Sequence, residues 1–217
     1  LPQSERDEAV KVARQFGARH ELIASDEIHN PAYAANPTNR CFFCKQALFH
    51  IAEELKTRTG IPHMAIGTNT DDLGDHRPGL DAAKRYGALS PLVEAGFSKN
   101  DVRTAAKSLG IEIWDKPAYA CLSSRFPYGT KITEERLDRV GQCEALLKKL
   151  GFKVFRVRFH DDLARIEVSE HEITRLAETH TRNAITEGFR AAGFKFVTID
   201  LEAYRSGRLN EDLPDRS

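Results

Sequence analysis

The sequence predicts an α/β fold: a parallel-sheet domain over residues 1–130, then a smaller α+β domain over 131–217. Three observations predict it. Helical and strand patterns alternate through the first half with short joints. A polar loop at 67–79 follows an apolar, strand-like run, which is where parallel sheets place their ligands. Beyond Thr133 the order changes to a helix, two strands, two helical stretches and a last strand.

The elements follow in order. Residues 4–16 set Ala9, Val10, Ala13 and Phe16 at helical spacing, and Gly17 closes the run. Residues 20–24 read as a short strand. A polar loop at 30–39 leads into a helix over 40–58 closed by Gly60, and 62–67 reads as a buried strand. Ser98 and Asp101 form a capping-box start for a third helix that ends at Gly110. Residues 114–130 make a long, aromatic-rich loop around Cys121, a length that points to function. A helix at 133–150 precedes strands at 153–159 and 164–168. Ser169 and Glu172 read as a second capping box, followed by a helical stretch at 181–192 and a strand at 194–200.

Composition narrows the function classes. The 217 residues carry 32 Lys+Arg and 32 Asp+Glu. Zero net charge excludes a general nucleic-acid or membrane coat and leaves room for a local basic pocket. Hydrophobic residues at 41% exclude disorder as the general state. No apolar run approaches the ~20 residues of a membrane span, and the first residues show no signal-peptide pattern. With no Met at its start, the chain is expected to begin inside a longer protein. Four cysteines do not make a disulfide scaffold, so reduced thiols and a cytoplasmic location are expected.

Several residues can carry chemistry. Cys41 and Cys44 form a lone C-x-x-C, two ligands short of a zinc site. The pair reads either as redox thiols or as two half-buried helix cysteines. Lys45 can meet phosphate as a compact cation, or is simply solvated. The 67–79 loop groups Asn69, Asp71, Asp72, Asp75 and Arg77; it can hold Mg²⁺ beside a nucleotide, or is an ordinary polar turn. Cys121 lies four residues before Arg125 and next to Ser123 and Ser124. That setting suits a reactive thiolate with oxyanion donors nearby; the alternative is a buried small hydrophobe. Cys143 reads as core. Arg156 and Arg158 alternate on a strand and so share a face, where they repel unless an anion sits between them. Arg165 and Glu167 on the next strand can pair with them, in the bland case as a salt-bridge ladder. Arg205 is a third guanidinium that can complete an anion cradle.

Taken together, residues 36–45, 67–72, 75–79, 114–117, 121–125 and 204–207 resemble the LarE-type sulfur transferases of the PP-loop ATP pyrophosphatase superfamily. The resemblance implies an adenine nucleotide alpha hydrolase-like fold with a smaller C-terminal domain for substrate binding or oligomerisation. It implies an enzyme that uses ATP and Mg²⁺ to adenylate a pyridinium carboxylate mononucleotide and release pyrophosphate. A cysteine thiolate then forms a thioester, and cleavage of its Cβ–S bond leaves the sulfur on the substrate and dehydroalanine in the protein. The product belongs to the nickel-pincer nucleotide used by lactate racemase. By this resemblance Cys121 is the sacrificial cysteine, and Lys45, Glu144 and Asp72 are pocket residues. Arg156, Arg158 and Arg205 hold the substrate phosphate, and Asn69, Asp72, Asp75 and Arg77 line the nucleotide pocket. It further implies a homo-oligomer with a small-molecule nucleotide substrate and, with Ser123, Ser124 and Arg125 beside Cys121, the single-cysteine type without an iron–sulfur cluster; no metal ligand is assigned with certainty, and the balanced charge and reduced thiols add the expectation of a cytoplasmic protein with no nucleic-acid or membrane partner. The superfamily's Ser-Gly-Gly-x-Asp-Ser loop does not occur in the sequence, so domain 1–130 is expected to lack its first strand and phosphate loop. The rival readings are a tRNA thiolase, an amide ligase, or a non-catalytic nucleotide-binding remnant.

Overall fold

The computed structural model describes residues 3–74, 78–116 and 120–211. The chain is α/β with a small mixed sheet. It divides into two compact units, Gln3–Ala118 and Tyr119–Ser217. The break falls ahead of residue 130 because the 122–125 segment bonds to the helix and sheet that follow it. Among the described residues no helix is long and apolar enough to cross a membrane.

The first unit is mainly helical: α1 (Gln3–Gln15), α2 (Pro31–Ala34), α3 (Arg40–Thr59), α4 (Pro78–Arg85), α5 (Pro91–Glu94) and α6 (Lys99–Ser108). Gly60 stops α3 because it takes a left-handed φ of 71°, which satisfies the last-turn carbonyls without a Cβ clash. The Ser98–Asp101 capping box forms as the spacing predicts: each side chain takes the other's backbone N–H. A small core joins α3 to α4, with Phe49, Ala82 and Ala83 buried and Tyr86 stacked on Phe49 at 5.5 Å.

Two expected strands differ here. Residues 20–24 form no strand; Leu22 and Ile23 are exposed. An apolar run becomes a strand only when a neighbour takes its backbone N–H and C=O groups, and among the described residues none does. The 62–67 run contributes a single parallel bridge, Ala65 to Leu89, with N–H···O distances of 2.9 Å from Ile66 to Leu89 and from Leu89 to Met64.

The second unit contains α7 (Glu134–Lys149), β1 (Phe155–His160), β2 (Leu163–Val168), α8 (Ile173–Ala177), α9 (Thr179–Ala191) and β3 (Phe196–Ile199). The sheet order is β1-β2-β3, antiparallel then parallel. Thr133 caps α7 by accepting the Arg136 amide. Strand alternation then sorts the sheet into two faces. Val157, Phe159 and Ile166 join Val140, Leu147 and Phe189 in the core with α7 and α9. The opposite face carries Arg156 across from Glu167, and Arg158 across from Arg165. Cys143 lies in the core, where burial pushes its thiol up to about 12. The second predicted capping box does not form. The Ser169 hydroxyl donates to the Glu172 carboxylate at 2.5 Å instead of capping an amide, so one tight turn precedes a short α8.

Candidate functional site

Cys121 is exposed and starts the tight turn Leu122–Arg125. Its thiol faces solvent while its backbone is held from inside. Arg125 is fully buried, 0% exposed, and its Nε and Nη2 donate to the two Glu144 oxygens at 2.8 and 2.9 Å. Nη1 donates to the carbonyls of Ala120 at 2.8 Å and Cys121 at 3.1 Å, and to the Ser124 hydroxyl at 2.9 Å. The Ser124 hydroxyl donates in turn to the Cys121 carbonyl at 2.8 Å. Glu144 sits on the buried side of α7 and also accepts the Val157 amide of β1 at 3.0 Å. A buried ion pair survives only with this kind of bidentate, fully bonded geometry. Here it ties the cysteine-bearing turn to both α7 and β1.

The polar sheet face adds a second hold on the same turn. Arg158 binds Glu167 bidentately at 2.9 and 2.7 Å, and its Nη1 donates to the Ser124 carbonyl at 2.9 Å. Arg156 donates to the Phe155 carbonyl at 2.6 Å and to the Tyr204 hydroxyl at 3.2 Å, with the Tyr204 ring 4.5 Å from its guanidinium. Arg165 pairs with Asp200, and Arg208 reaches the same carboxylate at 2.9 Å. Burial opposes ionisation of Asp200, but the Glu202 amide, Arg165 and Arg208 outweigh it and hold its carboxyl below the ordinary value. Arg205 is exposed and pairs with Glu202 at 3.1 Å and Glu211 at 2.5 Å.

In the first unit, Lys45 is exposed, and a Cβ built on Gly79 would lie 2.9 Å from its Cγ, so the lysine stem covers that glycine. Asp72 accepts the Asn69 amide and Asp71 accepts the Lys99 amide at the start of α6. Both carboxylates thus shape the turn, and among the described residues no group of three His, Cys, Asp or Glu could hold a metal ion. Asp75 and Arg77 lie outside the described residues.

No family model matches the chain. It is 36% identical over 209 residues to the pyridinium-3,5-bisthiocarboxylic acid mononucleotide synthase of Lactiplantibacillus plantarum, covering 96% of this chain and 75% of the relative. The chain belongs to that synthase family. An uncharacterized protein of Synechocystis sp. is 45% identical over 213 residues, 98% of this chain and 79% of the relative. An uncharacterized protein of Methanocaldococcus jannaschii is 32% identical over 198 residues, 91% and 75% respectively.

In this member of the synthase family, Cys121, Glu144, Arg156 and Arg158 come together around one turn and one sheet face. Arg205 belongs to the same unit but bonds to its own acidic neighbours, while Lys45, Asn69 and Asp72 lie in the other unit. Sequence reasoning missed the Arg125–Glu144 pair and the Arg208–Asp200 contact. One signal for the first was present. Glu144 follows Cys143 and precedes Leu147 on the apolar stripe of a helix, and a carboxylate there needs a buried cation.

Proposed function

We propose that the chain is an ATP-dependent sulfur transferase of nickel-pincer cofactor biosynthesis, which adenylates a pyridinium carboxylate mononucleotide and gives it the sulfur of Cys121. The single observation that carries the reading is the exposed thiol on a turn whose backbone is held by Arg125, Glu144 and Arg158. The activity for which the Lactiplantibacillus relative is named supports the product class. The reading includes the adenine nucleotide alpha hydrolase-like PP-loop fold and a cytoplasmic homo-oligomer without an iron–sulfur cluster.

The Cys121 thiolate attacks the acyl carbon of the adenylated carboxylate, and AMP leaves with the bonding pair of the broken C–O bond. Loss of the Cys121 Cα proton then drives the Cβ–S bond open. The sulfur departs with that bonding pair as a thiocarboxylate, and Cα=Cβ remains in the chain as dehydroalanine. Fixing the backbone of the nucleophile limits the thiol to its own rotamers, which favours a near-attack geometry. Glu144 and Arg125 act as positioning residues. Of the three arginines that the resemblance gives to the substrate phosphate, the exposed Arg205 is assigned to receive it, a task for which a planar guanidinium is suited, and the buried Arg158 to anchor the Cys121 turn. Lys45 is assigned to the nucleotide phosphates together with Asn69, Asp72, Asp75 and Arg77. ATP enters with Mg²⁺, which would neutralise phosphate charge.

The test is intact-mass analysis of a full-length protein that includes a phosphate loop, after incubation with ATP, Mg²⁺ and the mononucleotide. The expected outcome is loss of the elements of hydrogen sulfide at Cys121, with AMP and pyrophosphate formed. Cys121→Ala should abolish thiocarboxylate formation and keep AMP formation. A thiocarboxylate product with Cys121 chemically unchanged overturns the assignment.

A further inference from the structure

Cys41 and Cys44 have no part in the reaction above. Both are thiols; Cys41 is exposed and Cys44 half-buried. They lie three residues apart at the start of α3, in its first two turns. Helix geometry places the Cα atoms of such a pair about 5 Å apart, inside the roughly 4.4–6.8 Å range of disulfides. Their Cβ atoms, about 5–6 Å apart in a regular helix, must close by about 1 Å to reach bonding geometry. Mid-helix, that shift would break ladder hydrogen bonds. At a helix start the first four amides have no intrahelical acceptor, and here the cap residue Asn39 makes no side-chain cap bond. The first turn is therefore the cheap place to deform. The aligned amides of the helix start favour thiolate over thiol as the attacking species. Metal chelation is not the better use, since the described residues supply no group of three ligands.

We propose that Cys41 and Cys44 form a redox-active dithiol that exchanges with low-molecular-weight disulfides. The exposed Cys41 thiolate attacks one sulfur of the disulfide, forming a mixed disulfide and expelling one thiolate. Cys44 then attacks the Cys41 sulfur and expels the second. Two protein thiols are oxidised by two electrons, the small disulfide is reduced to two thiols, and the two protons pass to the departing thiolates. The closure strain makes the bond easy to reduce again. The inference is independent of sulfur transfer at Cys121.

The experiment equilibrates the full chain with oxidised glutathione, alkylates the remaining thiols in acid-quenched, denatured protein and maps the peptides. The expected result is loss of two alkylatable thiols, both within residues 41–44, restored by reduced glutathione and unchanged in Cys121→Ala. Cys44→Ser should trap glutathione on Cys41. Full alkylation of both thiols, glutathione persisting on wild-type Cys41, or a disulfide joining either cysteine to Cys121 overturns the proposal.

Discussion

Glu144→Gln removes one charge from the pair that holds the Cys121 turn and changes almost nothing in shape. Arg125 is 0% exposed and Glu144 2%, so water cannot replace the lost partner. Glutamine accepts at one oxygen, and its amide nitrogen meets a guanidinium donor. The variant thus leaves a buried cation without a counter-charge, a loss of about 3–5 kcal/mol. Arg125→Met strands the carboxylate and should cost about the same. The combined Arg125→Met/Glu144→Leu variant removes both charges and fills the space. What remains is lost bonding at the Val157 amide and the Ala120 carbonyl, about 1 kcal/mol each. The Cys121 carbonyl keeps the Ser124 amide at 3.0 Å. The double variant should therefore lie within about 2 kcal/mol of wild type, against about 6–10 for independent effects, a coupling of at least about 4 kcal/mol. Native-state hydrogen exchange at Phe159 and Ile166 reads the second unit alone, without assuming that the whole chain unfolds in one step. The stable double variant should still transfer sulfur about 100-fold more slowly, because its turn is no longer clamped. A Glu144→Gln cost below about 1 kcal/mol, or a double-variant cost equal to the sum of the singles, refutes the reasoning.

Three further outcomes follow from the same structure. Phe126, fully buried with its ring 4.8 Å from that of Phe159, should cost about 3–5 kcal/mol as Phe126→Ala, seen as lost exchange protection in the second unit; less than about 1 kcal/mol would place it outside the core. Ser98→Ala removes the α6 cap and should cost about 1 kcal/mol, confined to amides of the first unit; equal loss in the second unit would contradict two separate compact units. Burial first, then Arg165 and Arg158, depress the His160 imidazole below its ordinary 6.5, against the opposite pull of Asp161 and Glu167. The unfolded chain therefore takes the proton first: this stability is complete above pH 6.5 and is lost as pH falls through the lower folded value. Unfolding titrations between pH 7 and 5 should show a shallower slope for His160→Gln, and an unchanged slope would remove the assignment.

The fold was readable where the chain marks its own ends. Gly60 stopping α3, the Ser98–Asp101 box opening α6 and the alternation of β1 are local signals, and each appears in the structure. The 20–24 segment was misread because strand formation depends on a partner, which periodicity does not show. The second capping box failed for a related reason: the spacing was right, but the Ser169 hydroxyl found a carboxylate before an amide. At the site, alternation correctly put Arg156 and Arg158 on one face and offered Glu167 as a partner. The Arg125–Glu144 pair was readable only in half: Glu144 on an apolar stripe calls for a buried cation, but only tertiary packing names a loop arginine 19 positions away as that cation.

The guanidinium groups of the second unit fall into two kinds, and the difference decides which can receive a substrate phosphate. Arg158 is buried, and all three of its nitrogens bond to Glu167 or the Ser124 carbonyl. Turning it toward a ligand would strand a buried carboxylate and release the Cys121 turn. Arg205 is exposed, and its partners Glu202 and Glu211 are solvated carboxylates, so an incoming dianion can replace them at little cost. Arg205→Ala should therefore weaken mononucleotide binding while leaving exchange protection unchanged, and the wild-type affinity should fall with added salt. Arg158→Ala should instead lower protection across β1 and β2 and slow sulfur transfer at saturating substrate. Matched effects of the two variants on affinity, rate and protection would mean that burial does not separate the anchoring arginine from the receiving one.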